Sequence, residues 1–299
     1  MKGVLEDRPV VTLVIGSGSV KCAAAIGVVK ALSEAGIGID RLVGCSGGAL
    51  FAAGIALGFD ARKLTDITLR TWTRKLTSKR NHMGVLRLLA PKLFGFKPDS
   101  FGLRDDAPML AAFRDVFGQQ RIEDTAIPLH ITATDFMNGE LVDITRGDLV
   151  QALRASVSLP LAFRPVKLDG RLLVDGYMSD PLPISVAMKS GSRVIVAVGF
   201  DTPFQENIRS AGRFAAQLSA ILANNLQKSR LAFQSAAHHS ELILILPEFK
   251  QRVRLFDTEK VPYIIEEGEQ ATLQQLPYLR ALLDADRRRV EHRHALAAA

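Results

Sequence analysis

A continuous apolar, β-branched run, VVTLVI at 10–15, predicts a strand buried on both faces. Residues 20–35, VKCAAAIGVVKALSEA, change to helical spacing and stop at Gly36, which suits a helix C-cap. IDRLVGC at 39–45 reads as a second strand and GALFAAGIAL at 48–57 as a second helix, closely packed because its residues are small. Strand, helix, strand, helix at this spacing implies a parallel sheet. Over 60–110 the pattern becomes basic and helical, interrupted by Pro91, Pro98 and Pro108, as in a helical insertion or cap. Strand signals return at PLHITATDF (128–136) and ELVDIT (140–145), with Asn138–Gly139 as the hairpin turn between them. RLLVDG (171–176) and RVIVAVGF (193–200) are further short strands. A long helix is expected over 207–237, a strand at ELILIL (241–246) and a last helix over 262–284. The charged segment from 286 to 299 reads as a frayed tail. With no internal repeat and no linker, the pattern gives one domain over about 8–285.

Composition adds bounds. At 299 residues, 47% apolar and 23% charged, the chain has enough material for one large core. No apolar stretch approaches the roughly 18–20 residues that cross a bilayer, and the first apolar run is too short for a signal-peptide core, so the expected location is cytoplasmic. The two cysteines, Cys22 and Cys45, suit a reducing compartment and indicate neither a disulfide framework nor a zinc site. The net charge of +7 is uneven: residues 60–97 carry ten Lys or Arg against two Asp. Such a patch points to an anionic surface, phospholipid headgroups or nucleic acid.

The candidate chemistry begins at GCSGGAL, 44–50, where Gly44, Ser46 and Gly48 form a G-x-S-x-G between a predicted strand and a small-residue helix. That context suits a nucleophilic serine on a tight turn, with the helix N-terminus favouring developing negative charge. GSGSVKC, 16–22, lies between another strand and helix, so its backbone N–H groups would point outward as oxyanion donors. A dinucleotide fingerprint fails there because Lys21 stands at the third glycine position, although Asp40 lies near the expected acidic position. Two kinds of base remain open. His238 or His239 would complete a serine–aspartate–histidine order. Asp175, at the end of a strand in LLVDGYMSDPLP, would accept the serine proton directly.

These segments together resemble the patatin-like phospholipase family. LVIGSGSVKCAAAIGVVKAL corresponds to its glycine-rich oxyanion segment and IDRLVGCSGGAL to its G-x-S-x-G. LRASVSLPLAFRPVKLDGRLLVDGYMSDPLP corresponds to the segment carrying the catalytic aspartate, and FDTEKVPYIIEEGEQAT matches near the end. The resemblance implies a three-layer α/β/α fold with a central, mostly parallel sheet. It also implies a Ser–Asp dyad of Ser46 and Asp175, with oxyanion donors at Ser17, Gly18 and Ser19. Gly16, Lys21, Gly44, Gly48 and Gly176 support the motifs. The implied activity is hydrolysis of a lipid ester at an anionic membrane surface, needing neither metal nor organic cofactor and no nucleic acid; the protein would be peripheral at the inner membrane face. Where the family has G-G-G-x-R-G, this chain has Ser17, Gly18, Ser19, Val20, Lys21 and Cys22, and Tyr177 and Pro181 depart from its aspartate box. These changes leave an alternative, a catalytically weakened fold that binds lipid or regulates.

Overall fold

The computed structural model describes residues 10–202, 204–237 and 241–297. Among them one eight-stranded sheet organises the chain. Its strands in chain order are β1 (Val11–Ile15), β2 (Arg41–Cys45), β3 (Leu129–Asp135), β4 (Leu141–Ile144), β5 (Val166–Leu168), β6 (Arg171–Asp175), β7 (Val194–Val198) and β8 (Glu241–Ile245). The helices are α1 (Ala24–Glu34), α2 (Gly47–Ala56), α3 (Ala61–Thr71), α4 (His82–Leu89), α5 (Pro91–Phe94), α6 (Ala107–Phe117), α7 (Leu149–Ser156), α8 (Ile184–Lys189), α9 (Ala211–Ala237) and α10 (Val261–Ala297). β3, β2, β1, β7 and β8 lie side by side in that order, all parallel. Strands β4, β5 and β6 add an antiparallel margin. The chain therefore builds outward from β1 in both directions, and the crevice beyond the carboxyl ends of such strands is where α/β sheets bind ligands.

Alternation along the central strands produces the three layers. Leu13 and Ile15 of β1, with Val194, Val196 and Val198 of β7, face the larger core, which takes in α1, α2, α6, α7 and α10. Val14, Ile195 and Ala197 face a smaller core beside α8. A period of two on a strand buried on both sides gives this division directly. Helices α1 and α10 cross closely; a Cβ on Gly27 would lie 2.0 Å from the Ile265 carbonyl oxygen.

Several elements differ from the sequence expectation. The helix expected from 20 begins as a 3₁₀ turn over Ser19–Ala23 and becomes α-helical at Ala24. Pro91 and Pro108 do not break helices but start α5 and α6, since a first-turn proline sacrifices no hydrogen bond. β5 pairs with β6 through an Asp169–Gly170 turn, both residues at positive φ, a short hairpin whose Asp-Gly signal was available in the sequence. α10 continues to Ala297, past the tail expected from 286, because residues 278–297 hold good helix formers and neither Gly nor Pro. Between 60 and 97 the chain forms α3, α4 and α5 with a short 3₁₀ turn. None of the helices among the described residues is long and apolar enough to cross a membrane.

Candidate active site

The register of β3 brings two distant segments together. β4 covers one edge of β3 from Ile131 to Thr134. On the other edge β2 pairs as far as Cys45 opposite Thr132, and β6 takes over with Asp175 opposite Ala133. The ends of β2 and β6 thus meet at adjacent positions of one strand, and the residue after Cys45 is Ser46. Ser46 Oγ donates to Asp175 Oδ2 at 2.9 Å.

Ser46 occupies the left-handed side of backbone space, φ 54° and ψ −125°. For a residue with a Cβ this costs on the order of 1–3 kcal/mol, and its surroundings hold it there. Its N–H donates to Ser156 Oγ of α7 at 2.9 Å. The turn is also packed too closely for side chains on its glycines. A Cβ on Gly44 would lie 2.5 Å from Ala49 Cα, and one on Gly48 would lie 2.3 Å from the Ile15 carbonyl oxygen. The G-x-S-x-G spacing therefore serves to seat α2 against the ends of β1 and β2.

Asp175 is 3% exposed. Burial pushes its carboxyl up to about 7, against the Tyr177 N–H and the Ser46 hydroxyl, which favour the ionised form. Tyr177 N–H donates to Oδ1 at 2.9 Å, which leaves Oδ2 for the serine. The backbone is pinned too: Asp175 N–H donates to Ser158 O, and the Thr134 hydroxyl donates to Asp175 O. Gly176 accepts from the amides of Ser179 and Asp180, closing the turn after the carboxylate. A buried carboxylate that ionises near neutrality, held 2.9 Å from a strained serine hydroxyl, is suited to general-base chemistry.

The 16–22 loop lies beside this turn, since a Cβ on Gly47 would lie 2.9 Å from Ser19 N. Gly16 N–H is engaged with Val198 O, and Ser17 N–H with Pro181 O at 2.8 Å. The sequence named Ser17, Gly18 and Ser19 as donors; the structure commits the Ser17 amide elsewhere. Among the described residues no protein acceptor takes the amides of Gly18, Ser19 or Gly47. Gly47, the residue after the serine, offers a further amide that the sequence reading did not name, although its place in the motif signals it. Ser19 has φ 56°, so its Cβ carries the penalty that glycine would avoid, on the order of 1 kcal/mol. Its hydroxyl offsets part of this by donating to Leu255 O, a carbonyl that Trp72 Nε1 also binds. Lys21 Nζ donates to Asp201 O and lies over the Phe249 ring, and burial holds its pKa below the usual lysine value.

His238 and His239 lie outside the described residues. His130 binds Asp143 across the β3–β4 hairpin, and His82 is exposed at the start of α4. Both cysteines are buried with their thiol pKa values pushed up by burial, as expected of packing residues. Among the described residues, no group of three or more His, Cys, Asp or Glu could hold a metal ion. In the cap, Trp72 is half-buried against Phe51, while Phe94 and Phe96 remain exposed.

Comparison with known proteins gives a consistent picture. The family model described as patatin-like phospholipase matches residues 13–188. An uncharacterised NTE family protein of Mycobacterium tuberculosis is 35% identical over 196 residues, 66% of this chain and 50% of that protein. Neuropathy target esterase sws of Drosophila melanogaster is 34% identical over 190 residues, 62% of this chain and 12% of that protein. This chain thus spans half the length of the mycobacterial relative and a small part of the fly protein. Among solved structures, VipD from Legionella pneumophila superposes with a TM-score of 0.52 at 15% identity, covering 91% of this chain and 67% of that one. At that identity the likeness concerns the fold.

Proposed function

Because the chain belongs to the patatin-like phospholipase family, we propose that it is a serine acyl hydrolase that cleaves a lipid ester at a membrane surface. The observation that carries this reading is the 2.9 Å hydrogen bond from Ser46 Oγ to the buried Asp175 carboxylate. In the proposed reaction Ser46 Oγ attacks the ester carbonyl carbon as Asp175 Oδ2 takes its proton. The carbonyl oxygen becomes an oxyanion facing the amides of Gly18, Ser19 and Gly47. Collapse of the tetrahedral adduct expels the alcohol portion of the lipid, which leaves with the proton from Asp175. Water, deprotonated by the same carboxylate, then releases the fatty acid from Ser46.

The cap favours surface action. Leu88, Leu89, Leu93, Phe94 and Phe96 are all exposed in the segment that carries the ten basic residues. Not every charge is free, because Lys79 pairs with Asp105.

The pH profile tests the base. Only ionised Asp175 can accept the serine proton, so kcat/KM for a short soluble ester should rise with pH through about 7 and then level off. Changing both His238 and His239 to Ala should leave the profile in place and more than about a third of the activity. Loss of the limb, or collapse of turnover with intact folding, in the histidine variant would assign the base to histidine.

A further inference from the structure

α9 presents its apolar side chains to the outside. Phe214, Leu218, Ile221 and Leu222 follow one another at spacings of four, three and one, which places them on one face of a helix. All four are exposed, Leu222 at 68%. The face turned to the body is different in character. There Ala220 and Ala223 are buried, Gln217 accepts from Gln205 N–H, and Asn224 exchanges two hydrogen bonds with the Thr202 backbone. At 100° per residue the two faces lie about 135° apart, so the helix is amphipathic in the inverted sense, with its large apolar residues away from the core. Phe204 and Ile208, just before α9, are exposed as well. Nothing among the described residues covers this surface.

Charge identifies the occupant. α9 contains no Asp or Glu, while Arg213 and Lys228 are exposed on it and Arg209 precedes it. The segment between β7 and α9 carries two acidic residues, Asp201 and Glu206, and Glu206 is paired with Arg252. An apolar face with cations beside it, on a helix that carries no carboxylate of its own, matches the headgroup and acyl boundary of an anionic bilayer. The placement agrees, because Tyr177, two residues beyond Asp175, donates its hydroxyl to Ser219 O of α9 at 2.9 Å. Exposed Met178, Leu159 and Leu161 occupy the turns adjoining Asp175, whose N–H donates to Ser158 O.

We propose that α9 is an interfacial docking helix, laying its Phe214–Leu218–Leu222 face into an anionic phospholipid surface beside the Ser46–Asp175 dyad. This rests on the lipid hydrolase reading and refines it, because it assigns surface contact to a helix outside the basic cap. The helix holds the mouth of the site against the bilayer, so a lipid reaches Ser46 without crossing open water.

The test separates docking from chemistry by measuring binding on Ser46→Ala protein. That protein should float with phosphatidylglycerol-rich vesicles, and less with phosphatidylcholine vesicles or at high salt. Adding Phe214→Ser, Leu218→Ser and Leu222→Ser together should weaken binding to the anionic vesicles at least about tenfold with the melting temperature unchanged. With Ser46 intact, the triple variant should keep short-ester turnover within about threefold while losing turnover of vesicle lipid. Absent vesicle binding by the parent, or unchanged binding by the triple variant, would overturn the proposal. So would a dimer that the triple variant turns into monomer, since a second copy of the chain would then be the occupant. An equal fall in short-ester turnover would make α9 a support of the site. If binding responds as expected but no lipid or ester is turned over, docking stands and the hydrolase reading fails.

Discussion

Asp175→Asn should lower ester turnover at least about a hundredfold and at the same time raise the melting temperature. The asparagine carbonyl can keep the bond from Tyr177 N–H and its amide can donate to Ser46 Oγ, so the turn need not move. What disappears is the proton acceptor. The stability change follows from the same burial that tunes the base. The carboxyl titrates at about 7 in the folded chain and near 3.8 when unfolded, so the folded chain holds more protons between those values. Its neutral form contributes stability that is fully present below 3.8 and lost as pH rises through about 7. Asparagine is neutral throughout, so the variant should gain on the order of 1–4 kcal/mol at pH 8 and little near pH 4. Thermal melts at both pH values check this. Retained turnover, or a variant less stable at pH 8, would mean that Asp175 holds the structure and is not the base.

Asp106→Ala should be among the most destabilising single changes outside the dyad. Asp106 precedes α6 and is 2% exposed; its carboxylate accepts Arg154 Nε, Arg154 Nη2 and Arg164 Nη2. Burial pushes the carboxyl up, but the two guanidiniums outweigh it and leave the pKa below the usual aspartate value. Arg154, itself 3% exposed, also donates to Ser158 Oγ, and Ser158 O receives the N–H of Asp175. Removing the carboxylate strands a buried guanidinium, a change that typically costs about 3–5 kcal/mol. Urea unfolding should show a loss of that size. Turnover should fall through kcat more than through KM, because the base is displaced and the substrate contacts are kept. Asp106→Leu with Arg154→Met should recover at least about half of the lost stability, since no unpaired charge remains. A loss under about 1 kcal/mol would show that water or another group satisfies Arg154.

What the chain reveals before folding follows from how local each signal is. β1, β2 and the G-x-S-x-G turn are written in consecutive residues, and the structure places them where the pattern does. Asp175 is legible as a carboxylate at a strand end, but its meeting with Ser46 depends on β3, whose register sets β2 and β6 end to end. That relation joins residues 129 apart and has no local trace. The amides proposed as oxyanion donors are divided by a contact of the same kind: Pro181 O takes the Ser17 amide. Ser156, which holds the Ser46 backbone, and the Asp106–Arg154 pair look like ordinary polar helix residues in sequence. α9 is legible as a helix from its length and composition; the direction its apolar face takes is fixed only by Tyr177, Asn224 and the buried alanines.

The central claim is that Ser46 is a nucleophile activated by Asp175, and reaction with a fluorophosphonate probe measures that without knowledge of the natural lipid. An activated serine attacks phosphorus, forms the O–P bond and expels fluoride, which leaves a stable adduct that peptide mapping can locate. The account predicts one adduct per chain, on Ser46, absent from Ser46→Ala and slowed at least about a hundredfold in Asp175→Asn. A folded protein that takes up no probe, or that carries the adduct on another residue, would contradict it.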